Sequence, residues 1–120
     1  MVGNNTIERS DSSDHATVFA SSGLYGPLGI ALDHSGNLYA GNQDDRAVMK
    51  FNSVGQPTLF AYSGLYPDGL AFDRSDNLYV ANFRDNSVQK IDPAGNSSIC
   101  AAGLNAPVDL ALDGAGNLFV

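Results

Sequence analysis

The chain has 120 residues, 43% of them hydrophobic, which is enough for one small domain with a core and too apolar for a disordered segment. Thirteen acidic against six basic side chains give a formal charge of −7, and no Lys or Arg run is present, which argues against nucleic acid or an anionic membrane as partner. Cys100 is the single cysteine, which excludes an intrachain disulfide and a cysteine-rich metal site.

The first ten residues, MVGNNTIERS, lack the basic segment and apolar core of a signal peptide, and no apolar run approaches the length of a membrane span. The chain as given is expected in the cytoplasm. The location of a longer parent, bacterial and secreted or periplasmic, is left open.

Along the chain the same unit returns. Asp33, Asp73 and Asp113 are 40 residues apart, as are Asn37, Asn77 and Asn117, and Pro27, Pro67 and Pro107. TIERSD (6–11) matches AVMKFN (47–52) and SVQKID (87–92). TVFASSGLY (17–25) matches TLFAYSGLY (58–66), and more loosely SICAAGLN (98–105). LGIALD (28–33), DGLAFD (68–73) and VDLALD (108–113) form the third set.

Within one unit the order is as follows. A strand at Ile30–Leu32 follows a proline entry and runs into Asp33–Asn37, a turn pattern in which Asp bonds the turn backbone and Gly accepts positive φ. Asp76 replaces that Gly in the second copy, and Asp also tolerates the left-handed region. A second strand, Leu38–Ala40, leads into a polar loop, NQDDR (42–46) or NFRDN (82–86). A third, at 48–51 or 88–91, reaches the turns NSVGQ (52–56) or DPAGN (92–96), and a fourth covers 58–61 or 98–101. No segment of helical length carries a 3.6-residue period with caps. Four short antiparallel strands repeated every 40 residues or so predict an all-β propeller, each four-stranded blade stacking on its neighbours. The expected division is outer strands of a composite blade over about 1–22, complete blades over about 23–62 and 63–102, and inner strands of a composite blade over about 103–120.

The sequence offers little chemistry. No Gly-x-Ser-x-Gly elbow, phosphate loop or His-Glu-x-x-His motif occurs. His15 and His34 fall in predicted turns and are expected to be solvated. Cys100 aligns with Phe60 and Phe19, so it is expected to be buried and reduced as a small hydrophobe. The loops that break the repeat differ in charge, and Phe83, Arg84, Asp44, Asp45 and Arg46 are the candidates for partner binding. Tyr25 and Tyr66 either join them as contact anchors or pack between blades.

The unit carried by Pro67, Gly69, Leu70, Ala71, Asp73 and Asn77-Leu78-Tyr79-Val80-Ala81-Asn82 resembles the NHL repeat and, more broadly, the SMP-30/gluconolactonase propellers. The resemblance covers essentially the whole chain and implies three blade equivalents, a half-propeller, with the Ile30-type strand lining the central channel and the Thr58-type strand on the rim. In the gluconolactonase group a divalent metal sits at the channel mouth, held in part by the Asp of a Pro-Asp-Gly motif. Pro67-Asp68-Gly69 matches it and makes Asp68 a candidate ligand, with Asp109 one position further on in its repeat. Leu28 and Val108 occupy the corresponding places in the other copies and offer no side-chain oxygen, whereas Ca²⁺ takes about six to eight oxygens. No metal or other cofactor is therefore expected. The favoured function is a non-catalytic scaffold or interaction module that self-assembles, with a protein or small molecule at its loop faces. The alternative is a metal-dependent lactone hydrolase remnant.

The two incomplete units complement each other. Aligning Val2–Ile7 with Phe83–Val88 and Val120 with Val80 makes the two ends halves of one blade. Joining them within one chain would need a ring of three blades, where propellers have about four to eight. Two chains give six. The expectation is a homodimer closed by composite blades, with Val2, Ile7, Leu118, Phe119 and Val120 at the seam.

Overall fold

The computed structural model describes residues 2–3, 6–10, 12–13, 15–63, 67–104, 111–112 and 118–119. Among them every regular element is a strand, and every pairing is antiparallel. The chain begins with β1 (Val2–Gly3), β2 (Thr6–Ser10) and β3 (Ala16–Ala20), which form one sheet in that order. A four-stranded sheet follows, β4 (Pro27–Leu32), β5 (Leu38–Asn42), β6 (Ala47–Phe51) and β7 (Pro57–Tyr62). A second repeats it with β8 (Pro67–Phe72), β9 (Leu78–Asn82), β10 (Ser87–Ile91) and β11 (Ser97–Ala101). A two-stranded sheet of β12 (Ala111–Leu112) and β13 (Leu118–Phe119) comes last.

Sequential pairing places each strand beside its chain neighbour, because the turns between them are short and Asp-, Asn- or Gly-rich. A bulge recurs at one position: the register shifts between Val48 and Met49, between Val88 and Gln89, and between Ile7 and Glu8. The extra residue on the outer strand is Phe60, Cys100 and Phe19 respectively. A bulge re-aims its extra side chain and sharpens the local twist.

These registers correct one expectation. Ile7 is the counterpart of Val48 and Val88, which pair with Gly41 and Ala81. Ile7 pairs with Val2, so Val2 stands where Gly41 and Ala81 stand, not at the place of Phe83. The physical reason is a shorter connection: two residues separate Gly3 from Thr6, whereas four separate Asn42 from Ala47.

The core lies between sheets rather than inside any one of them. Tyr39, Val48, Leu78, Val80 and Ile91 are packed between the β4–β7 and β8–β11 sheets, with Phe60, Leu70 and Phe72 against them. Ile7, Ala20, Leu24, Ala40 and Phe51 fill the gap between the β1–β3 sheet and β4–β7. Tyr79, Ala81 and Val88 meet Leu118 of the last sheet. Phe51, Leu78 and Ile91 are fully buried, each worth about 1.5–3 kcal/mol of transfer free energy. Burial falls from the inner strands to the rim. All of β9 is buried, while β11 is exposed except for a half-buried Ala101.

Two glycines set how closely the sheets approach. A Cβ on Gly29 in β4 would lie 1.8 Å from the Asp68 carbonyl oxygen of β8. Gly55, at φ +81° in the β6–β7 turn, leaves room for the Phe19 carbonyl, which a Cβ would meet at 2.0 Å.

Candidate functional site

Asp33 and Asp73, the turn aspartates of the two four-stranded sheets, are engaged by the turns they open. Asp33 Oδ1 accepts from the backbone N–H of Ser35 at 3.0 Å and of Asn37 at 2.9 Å. Its Oδ2 accepts from Asn37 Nδ2 at 3.1 Å and from the Tyr39 hydroxyl at 3.2 Å. Asp73 repeats the set with Ser75, Asn77 and Tyr79. Partial desolvation pushes the Asp33 carboxyl up, but the hydrogen bonds from Asn37, Tyr39 and Ser35 outweigh it and hold it below the usual carboxylate range. Asp73 is lowered in the same way. Burial first, then the Asp33 carboxylate, pushes the Tyr39 hydroxyl well up, so it stays a donor. This arrangement fixes a turn, with each carboxylate oxygen of Asp33 accepting two hydrogen bonds.

At the same end of the sheets the turns of successive blades are joined. Asp76 Oδ1 accepts from the His34 backbone N–H at 3.1 Å and lies 2.6 Å from His34 Nδ1. Asp76 holds φ +59° where Gly36 holds +85° in the preceding copy. The departure from Gly at this one repeat position is the only mark the sequence leaves of the contact.

The loops that vary lie at the opposite end of β5 and β9. Arg46 and Asn86 take the same left-handed backbone, φ +54° and +51°, and their carbonyls accept from Ser63 N–H at 2.8 Å and Leu104 N–H at 2.9 Å. Asp44 N–H donates to the Tyr25 carbonyl at 3.1 Å, and Asp45 Oδ1 caps Ala47 N–H at 3.2 Å. Asp44, Asp45, Arg46 and Arg84 are exposed, and Phe83 is half-buried. Tyr25 is exposed rather than packed between sheets, while Tyr66 lies outside the described residues.

Asp68 sits half-buried in β8, beside the first strand of the preceding blade. The residue at the matching place in β4 is Leu28, and Asp109 with Val108 lies outside the described residues. Among the described residues no three His, Cys, Asp or Glu side chains come together.

Cys100 corrects another expectation: it is exposed, not buried. Its counterpart Phe60 is half-buried because the β8–β11 sheet, with Gly95 close to the Phe60 carbonyl, stands beside it. Among the described residues the sheet that follows β8–β11 has two strands, β12 and β13, where β8–β11 itself has four.

A cavity of about 360 Å³ opens between the first two sheets, lined by Ile7, Arg9, Phe19, Ile30, Leu32 and Leu38. It is largely apolar apart from Arg9 and neighbouring Glu8.

No family model matches the chain, and no curated protein sequence does. Solved structures do. A streptogramin B lyase superimposes at TM-score 0.80 with 21% identity, over 97% of this chain and 41% of its own. A chain of a nidogen/laminin complex gives TM-score 0.79 and 23% identity, over 90% and 44%. A gluconolactonase-family protein gives 0.75 and 19%, over 91% and 39%. The fold is that of an NHL-type β-propeller. The sheets described above are its blades, β4 to β7 the first complete one and β8 to β11 the second. The propeller chain spans about two fifths of the length of these structures. At such identity the likeness fixes the fold, and these neighbours range from enzymes to a protein–protein complex.

Proposed function

We propose that this chain is a β-propeller scaffold that binds a partner through its variable loops, from a ring closed by self-assembly. The observation that carries this reading is the pair of loops at 43–46 and 83–86. Arg46 and Asn86 take the same left-handed φ and both loops carry Asp at 45 and 85, yet one presents Gln43, Asp44 and Arg46 where the other presents Phe83, Arg84 and Asn86. A fixed backbone with changed side chains is how a rigid β scaffold displays a recognition surface. The test is a loop exchange, with residues 83–86 replaced by the sequence of 43–46. The wild-type chain is expected to retain a protein or small-molecule partner that the exchanged chain loses at unchanged thermal stability. Identical capture by both overturns the reading.

A second reading is a divalent-metal-dependent lactone hydrolase. Asp68 within Pro67-Asp68-Gly69 and the likeness to a gluconolactonase-family structure favour it. Lactone turnover that requires Ca²⁺ or Zn²⁺ and is lost in Asp68→Asn would establish it in place of the scaffold.

A further inference from the structure

At the end of the sheets opposite the variable loops, an open pocket of about 460 Å³ lies against the first four-stranded sheet. Asn37, Lys50, Asn52, Gln56, Pro57 and Thr58 line it. Lys50 is paired with Tyr39 on one side and with Thr58 on the other, so these three share one face of the sheet. That face is turned toward the second complete blade, because Tyr39 packs against Phe72 of β8.

The second blade repeats these places. Lys90 pairs with Tyr79 and Ser98 as Lys50 pairs with Tyr39 and Thr58. Asn77 gives its Nδ2 to Asp73 as Asn37 gives its own to Asp33. The two copies differ in the turn between the outer strands. Asn52 opens the β6–β7 turn, where Asp92 opens the β10–β11 turn and Asp33 and Asp73 open the inner ones.

Asn52 makes the backbone bonds that the aspartates make. Its Oδ1 accepts from Val54 and Gln56 N–H, both at 3.0 Å. Asp92 Oδ1 accepts from Ala94 N–H at 3.0 Å and Asn96 N–H at 2.9 Å. The turn is the same with either residue, so the consequence of the amide lies in the side chains. Two backbone N–H groups fix which end of the Asn52 amide is oxygen, and its Nδ2 therefore faces Gln56, donating to Oε1 at 2.9 Å. Gln56 has to turn its Nε2 donors out of the turn. In the β10–β11 turn the bond runs the other way, from Asn96 Nδ2 to Asp92 Oδ2 at 3.2 Å.

The exchange of Asp for Asn thus removes a negative charge from the wall that Lys50 shares and releases an amide N–H pair beside it. Among the described residues neither Lys50 Nζ nor Gln56 Nε2 has a hydrogen-bond partner, and no lining side chain is a carboxylate. The Asp33 carboxylate next to Asn37 is already filled by Ser35, Asn37 and Tyr39.

We propose that this pocket binds a small-molecule carboxylate. The Lys50 ammonium and the Gln56 Nε2 donors meet its charge, and Pro57 supplies an apolar wall for its body. One cation balances one negative charge, which favours a carboxylate over a doubly charged phosphate. The site is separate from the variable loops and does not depend on the scaffold reading.

Solution NMR of the 120-residue chain follows the Asn52 and Gln56 side-chain amides during titration with butyrate at constant ionic strength. Saturating shifts centred on these amides are expected, with a Kd of about 1–10 mM for so small a probe. Butyramide, the neutral isostere, and inorganic phosphate are expected to bind about 10-fold more weakly or worse. Asn52→Asp restores the residue type of Asp92 and is expected to keep the thermal midpoint while weakening butyrate about 10-fold or more, with Gln56 as reporter. Lys50→Met keeps an unbranched stem over Tyr39 and is expected to lose butyrate to the same extent. Lys90→Met, at the matching place in the second blade, is expected to leave the affinity unchanged. Shifts that never saturate would mean an adventitious additive only and would overturn the site. Butyrate affinity unchanged by Asn52→Asp and Lys50→Met, or lost equally in Lys90→Met, would also overturn it. Butyramide or phosphate binding as tightly as butyrate would overturn the assignment to a carboxylate.

Discussion

Gly29 and the Asp68 carbonyl oxygen stand so close that a Cβ on Gly29 would lie 1.8 Å from that oxygen. The contact joins the first strands of successive blades, and a backbone carbonyl cannot rotate out of the way. Gly29→Ala is therefore expected to cost about 3 kcal/mol or more, at the upper end of overpacking penalties. Gly36→Ala is the comparison. Its φ of +85° is strained for alanine, but no atom lies within 4 Å, so about 1–2 kcal/mol is expected. Urea midpoints of the two variants should differ in that order, and equal midpoints would refute the close approach.

Acid should loosen the turns. The carboxyls of Asp33, Asp73 and Asp92 all lie below their ordinary value of 3.8 in the folded chain. A depressed folded pKa means stability that is present above the unfolded value and lost as pH falls through the folded one. Urea unfolding followed from pH 7 down to pH 3 should show falling stability below about pH 5. Asp73→Asn should cost about 1 kcal/mol at pH 7 and flatten that slope, since Asn52 already holds Val54 and Gln56 N–H with an amide oxygen at 3.0 Å. An unchanged acid slope in the variant would show that the Asp73 carboxylate does not contribute to it.

Tyr39 stands at the centre of the packing between the two four-stranded sheets. Tyr39→Phe loses only the hydroxyl bond to Asp33 and should cost about 1 kcal/mol. Tyr39→Ala removes the ring between Phe60 and Phe72 and should cost about 3–5 kcal/mol. Thermal or urea denaturation of the pair measures the worth of the ring, and a small cost for the alanine variant would refute its central place between Phe60 and Phe72.

Cys100 reports on assembly. It is exposed in the single chain, so a thiol reagent should label it quickly in dilute solution. Ring closure would bring a partner's outer strands to the rim beside β11, and labelling should slow as protein concentration rises. A rate independent of concentration would contradict that arrangement.

How far the sequence determined this protein can be seen at Asp33 and Asp73. Spacing and turn chemistry announced the repeat, the strands and the bonded turns, because short antiparallel connections depend on local backbone preferences that each copy carries whole. The tertiary structure decided what depends on neighbouring sheets. Phe60 and Cys100 occupy the same bulge, yet one is half-buried and the other exposed, since among the described residues only the first has a four-stranded sheet beside it. Val2 was misplaced because alignment cannot show that a connection has lost two residues while the strand beyond it keeps its bulge. The His34–Asp76 link and the cavity beside Phe19 join residues of different repeats. Burial and contact are properties of the stack of sheets, and a repeated sequence assigns equal environments to copies that the stack makes unequal.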